Sequence, residues 1–152
     1  MRIEVDDLTR PQVHDLLQEH LANMYELSPP ESVHALDLSK LRAPGITFWS
    51  VWDGATLVGC GALKEMSAAE GEIKSMRTPK ALRRRGAGRA VLEHIIAEAK
   101  RRGYNRLYLE TGSQDGFVAA RTLYESFGFT YCGPFGDYNP DPHSAFMTLA
   151  LS

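Results

Sequence analysis

The chain has 152 residues, 43% of them apolar, and carries 17 Lys and Arg against 19 Asp and Glu, a formal charge of -2. That composition is enough for one compact domain spanning 1–152 with a core of its own. It argues against general nucleic-acid binding, because the arginines are local and not spread over a surface. Only Cys60 and Cys132 are present. They make neither a disulfide framework nor a zinc-ligand spacing, so no metal is expected and the chain reads as a reduced, cytoplasmic one. The opening "MRIEVDDLTR" lacks an apolar signal core, and no segment approaches the roughly 20 apolar residues of a membrane span.

"RIEV" (residues 2–5) reads as a first strand. A helix follows, with Thr9 as its expected cap, Pro11 in its first turn, and Val13, Leu16, Leu17, Leu21 and Met24 near one face. The polar, Pro-interrupted stretch 28–45 is expected to hold a short helix over 32–38 and to wall a cleft. Two strands joined at Asp53-Gly54 form a hairpin, and residues 71–78 give the next strand. A long helix spans 86–102 with Val91, Leu92, Ile95, Ile96 and Ala99 buried, and Gly103 stops it. A strand at 105–111, a helix through "FVAARTLYESFGF" and a strand pair at 130–132 and 145–150 complete the chain. Two strand-helix-strand connections favour a mixed sheet with helices on its faces. A doubly wound nucleotide fold fits poorly, because the hairpin sits in the middle.

"LRRRGAGRAVLEH" carries the sharpest chemistry. Gly86 and Gly88 open the long helix, where unpaired backbone N–H groups attract anions, and Arg83, Arg84, Arg85 and Arg89 surround them. A diphosphate suits that turn; a solvated basic loop is the plain alternative. A Walker A loop would need Lys-Ser/Thr after the glycines, and here Arg89-Ala90 follows.

Two motifs in order, "RRRGAG" after "EIKSMRT" and "AARTLYESFGF" downstream, resemble the GNAT superfamily of N-acetyltransferases. The resemblance covers nearly the whole chain and extends to a small bacterial subgroup of largely unassigned substrate. It implies a mixed α/β fold: a central, mostly antiparallel twisted sheet with helices on both faces. It implies acetyl-CoA as donor, with its pyrophosphate on the turn formed by Arg84, Arg85, Gly86, Ala87, Gly88 and Arg89. Met76 and Thr78 would pair with the pantetheine arm through their backbones, and Arg83 or Arg84 would reach a phosphate. Where the family often has an Asn on the cofactor, this chain has Phe117, so that contact must differ.

For the transfer, Tyr124 matches the family's general acid, and its hydroxyl is protonated at neutral pH. The base is expected at Glu72, at the start of the fourth strand, with Glu110 on the adjacent strand as its rival. The acceptor pocket is expected from Met24, Tyr25, Ser32, His34, Phe48, Trp49 and the loop carrying Tyr138. Lys74 and Arg77 would favour a carboxylate-bearing amine. The partner is then a small-molecule amine, with no nucleic acid or membrane, in a chain compatible with a homodimer. A peptide amine as acceptor, or a non-catalytic acyl-CoA-binding module, are the other readings.

Overall fold

The computed structural model describes residues 1–33, 38–79, 82 and 86–152. Among these residues seven strands lie in one sheet: β1 (Arg2–Val5), β2 (Ile46–Asp53), β3 (Thr56–Glu65), β4 (Glu70–Arg77), β5 (Arg106–Gly112), β6 (Thr130–Cys132) and β7 (Ser144–Ala150). The spatial order is β1-β2-β3-β4-β5-β7-β6, and every neighbouring pair is antiparallel except β4 with β5. The expected mixed, mostly antiparallel sheet is therefore present.

Helices cover both faces. On one lies α3 (Ala87–Arg101), whose Val91, Leu92, Ile95 and Ala99 pack on Val58, Leu63, Ile73 and Leu107, with Tyr124 from α4 (Val118–Ser126) in the same core. On the other lie α1 (Pro11–Leu27) and the short α2 (Leu38–Leu41), whose Val13, Leu16, Leu17 and Leu41 meet Phe48, Trp52, Leu57 and Ala62. Two apolar faces on one sheet need two covering layers, and alternate strand residues supply them.

Local details refine the expectations. The hairpin turn is Gly54-Ala55, with Gly54 at φ +60 and Asp53 still paired to Thr56. Thr9 does not cap α1: its N–H and hydroxyl both donate to Asp7, and Arg10 holds the cap position without a side-chain bond. Pro11 does sit in the first turn. Of the helix expected over 32–38, a 3-10 turn at Pro30–Ser32 and the start of α2 are seen, and residues 34–37 lie outside the described residues. Phe117 precedes α4, ending a 3-10 turn at Asp115–Phe117.

Trp49 corrects the expected acceptor wall. It follows Phe48 on β2 and so points to the opposite face, where it is buried and meets the ring of His94 on α3 edge-on, centroids 5.5 Å apart. It is a core residue.

Candidate active site

The site begins with a split in the sheet. β4 and β5 pair only from Glu70↔Arg106 to Ile73↔Leu109, yet β4 follows β3 as far as Arg77 and β5 follows β7 as far as Gly112. Beyond Ile73 and Leu109 the two strands diverge, and a cleft of about 570 Å³ opens between them. Along β4, Lys74 and Arg77 face Ala62 and Cys60, so three steps on β4 match two on β3. The bulge falls at Ser75-Met76, with Ser75 in the left-handed region at φ +56. It turns the strand just where the cleft starts.

One end of the cleft is the start of α3. Gly86 precedes the helix at φ +82, a conformation that costs glycine nothing, and no side chain caps the helix there. Gly86, Ala87, Gly88 and Arg89 line the cleft together with Met76 and Thr78, as the motif implied. Arg89 also reaches α4, donating to Ser126 Oγ at 3.2 Å and stacking over Phe127. Arg83, Arg84 and Arg85 lie outside the described residues, as does His34. Phe117 is buried and lines the cleft; its ring sits where a Cβ on Gly112 would fall, 2.0 Å away, so only glycine fits at the end of β5.

The middle of the cleft holds the titratable groups. Ile73 points into the α3-side core, so Glu72 and Lys74 point to the other face. Glu72 is 4% exposed, and its Oε2 accepts from Lys74 Nζ at 3.0 Å and from Tyr138 Oη at 2.6 Å. Lys74 also donates to Tyr138 Oη at 2.9 Å, closing a three-membered network. Tyr138 is held in turn by Phe135 and Phe146, which anchor the loop before β7 over the sheet. Burial, then the Glu72 carboxylate, keeps the Tyr138 phenol protonated well above its ordinary range.

Glu110 lines the same cleft from β5. Burial raises its carboxyl to about 7, with Ser144 and then Lys74 opposing and Glu72 and Asp141 adding to the rise. Tyr124 lines the cleft from α4, and burial, then the Glu110 charge, pushes its phenol far up. A carboxyl near neutrality and a phenol that keeps its proton thus share one cavity. Cys60 is no competing nucleophile, since burial pushes its thiol up to about 12.

The acceptor expectations divide. Met24, Ser32, Lys74 and Arg77 line the cleft. Arg77 is engaged with Asn23 at 2.9 Å and Glu19 at 3.6 Å, and Lys74 with Glu72 and Tyr138. Phe48, Trp49 and Tyr138 do not line the cleft: Phe48 packs in the α1-side core, and Tyr138 meets the cleft through Glu72 and Lys74. Tyr25 is 54% exposed and likewise not part of the wall. It is next to Met24 on α1, and one helical step carries it away from the cleft.

Three cleft residues had no motif to mark them. His20 lines the cleft with Nδ1 buried and, among the described residues, without a hydrogen-bond partner, and burial, then Arg77, lowers its pKa to about 4. Ser75 Oγ is likewise buried and without a partner, and Asn23 lies on the wall beside Arg77. One signal was available for His20: it interrupts the apolar stripe of Val13, Leu16, Leu17, Met24 and Leu27. Among the described residues no group of three or more His, Cys, Asp and Glu is placed to hold a metal. No helix there is long and apolar enough to cross a membrane.

Comparison with known proteins agrees with this geometry. The profile described as "Acetyltransferase (GNAT) family" matches residues 11–129. The uncharacterized N-acetyltransferase YsnE of Bacillus subtilis is 60% identical over 151 residues, 99% of this chain and 100% of that protein. The IAA acetyltransferase of Azospirillum brasilense is 40% identical over 141 residues, 92% of this chain and 89% of its own. In structure, a GNAT family acetyltransferase from Elizabethkingia anophelis with acetyl-CoA bound superposes with a TM-score of 0.71 at 19% identity, covering 99% and 97% of the two chains. With the split sheet, the glycine turn and near full-length relatives in agreement, the chain belongs to the acetyltransferase (GNAT) family.

Proposed function

We propose that the chain carries out acetyl-CoA-dependent acetyltransfer to the primary amine of a small molecule, donor and acceptor being held together in the cleft. The observation that carries this reading is the divergence of β4 and β5 beyond Ile73 and Leu109, which leads from the α3 N-terminus past Glu110 and Tyr124.

The cleft fits the donor on grounds of its own. The first-turn N–H groups of α3 have no side-chain cap, and Gly86 just before them is held at φ +82, a conformation that favours glycine. Gly86, Ala87, Gly88 and Arg89 would hold the pyrophosphate there, with Met76 and Thr78 along the pantetheine arm. When bound, acetyl-CoA supplies an acetyl group activated as a thioester.

This chain's residues do the rest. An acceptor amine arrives as an ammonium and must lose a proton before it can attack. Glu110, with its carboxyl raised to about 7, is near the best balance between being ionised and holding a proton. Glu72 is the other candidate base; its carboxylate is already shared by Lys74 and Tyr138, which favours an anchoring role for it. The backbone N–H of Met76, beside the bulge, is the donor assigned to developing oxygen charge. Tyr124 holds its proton at Oη and would donate it to the departing thiolate as general acid, to be reprotonated before the next turnover.

The test is release of free CoA across an amine library, with mass identification of the product. Turnover with a small amine, lost in Glu110→Gln and Tyr124→Phe, is the expected result. Acetyl-CoA binding that vanishes in a folded Gly88→Glu variant would accompany it. Binding without turnover on any amine or peptide would instead identify a non-catalytic acyl-CoA module, and turnover on peptides alone a protein acetyltransferase.

A further inference from the structure

We infer that the wall of the cleft formed by α1 and the β4 bulge is a subsite for an oxygen substituent, so that the preferred acceptor is an amine that also bears a hydroxyl or carboxylate. This rests on the acetyltransferase reading above and assigns His20 and Ser75 as specificity-determining residues.

Two atoms carry the inference. His20 Nδ1 and Ser75 Oγ are buried, have no hydrogen-bond partner among the described residues, and belong to residues that line the cleft from different elements. Leaving such a polar atom dry and unpaired costs about 1–3 kcal/mol, so buried polar atoms are normally satisfied. Ser75 is moreover held at φ +56, in a region serine rarely adopts, which adds a backbone cost at the same position. A ligand oxygen reaching this wall would accept from the Ser75 hydroxyl or from an imidazole N–H, and so supply a partner that the wall lacks.

The charges around the cleft give the ligand an orientation. Burial and Arg77 keep His20 neutral at physiological pH, so the ring offers one donor and one acceptor without repelling a cationic substrate. Arg77, close enough to weigh on His20, adds a positive field on this side and favours an oxygen bearing negative charge. Glu72 and Glu110 supply the opposite sign for the ammonium, and the intervening Lys74 is bound to Glu72 and Tyr138. A plain alkylamine would serve the carboxylates and leave the α1 wall unsatisfied.

The experiment uses the full chain, acetyl-CoA, and matched acceptors that differ only in the oxygen: ethylamine, ethanolamine and glycine, then propylamine, propanolamine and beta-alanine. CoA release gives kcat/KM, and calorimetry on CoA-loaded protein gives affinity independently of turnover. An oxygenated acceptor should exceed its plain partner by about tenfold or more, as one satisfied hydrogen bond implies. The hydroxyl and carboxylate arms report which oxygen is taken. In His20→Leu and Ser75→Ala that ratio should fall about tenfold, while His20→Asn, which keeps a polar atom near the Nδ1 position, should retain most of it. Equal rates for plain and oxygenated amines, or a ratio untouched by both substitutions, would overturn the assignment. So would weakened acetyl-CoA binding in those variants, which would give the two atoms to the donor. If no amine is turned over, the acetyltransferase reading fails separately. Oxygenated compounds that still bind and depend on His20 would then uphold the subsite, and their failure to bind would remove it.

Discussion

Glu110→Gln separates the burial of a charge from every other property of the cleft. The wild-type carboxyl ionises near 4.5 in the unfolded chain and near 7 in the fold, chiefly because it is buried. The folded state therefore holds a proton that the unfolded state releases, and stability falls as pH rises between those values. The full penalty, reached above pH 7, is about 3 kcal/mol at 1.36 kcal/mol per pH unit of difference. Glutamine has nearly the same shape and no charge to lose. Its stability should match wild type near pH 4 and exceed it by up to about 3 kcal/mol at pH 8. Urea unfolding of both proteins from pH 4 to 9 measures this directly. Catalysis should move the other way: wild-type kcat/KM rises through pH 7 as the base ionises, and the glutamine variant loses 100-fold or more, roughly what a positioned base contributes. Parallel stability curves, or a glutamine variant no more stable at pH 8, would show that Glu110 is not a buried carboxyl near neutrality.

Tyr124→Phe should lower kcat about 10- to 100-fold with little change in acetyl-CoA affinity measured by calorimetry. Lys74→Met removes the cation that holds Glu110 down, so the acidic limb of the kcat/KM profile should move to higher pH. It also strands the buried Glu72 carboxylate, at a cost of about 3 kcal/mol in chemical unfolding. Gly112→Ala places a Cβ 2.0 Å from the Phe117 ring. The ring must move, and stability should fall by about 1–3 kcal/mol with weaker acetyl-CoA binding. Trp49→Ala should destabilise by about 3–5 kcal/mol and leave the KM for acceptor and donor unchanged in the folded fraction.

The elements were legible because each announces itself locally. The apolar stripe of Val91, Leu92, Ile95 and Ala99 requires a buried helix, and Gly103 at φ +85 ends it. The glycine turn was legible for the same reason, since Gly86 and Gly88 sit at a helix start amid arginines. Strand facing was harder. Phe48 and Trp49 are adjacent on a strand buried on both sides, and nothing in "ITFWSVWD" says which ring meets which helical layer, or that both are core. The bulge at Ser75 was invisible because it arises from a mismatch in pairing with β3, a property of two distant segments. The state of Glu110 and the network of Glu72, Lys74 and Tyr138 were hidden likewise, since they depend on which groups the folded chain brings to one cavity.

Among the described residues, the four residue pairs that join β4 to β5 are the direct strand pairing between two larger pieces, β1 to β4 and β5 to β7. Past Ile73 and Leu109 the inner edges of those pieces present backbone donors and acceptors to each other across open space. An extended donor molecule laid along β4 would extend that edge and act as a mortar between the halves. A bound donor would thereby touch both pieces at once, with the carboxyl on β5 on one side of it and the bulge on β4 on the other.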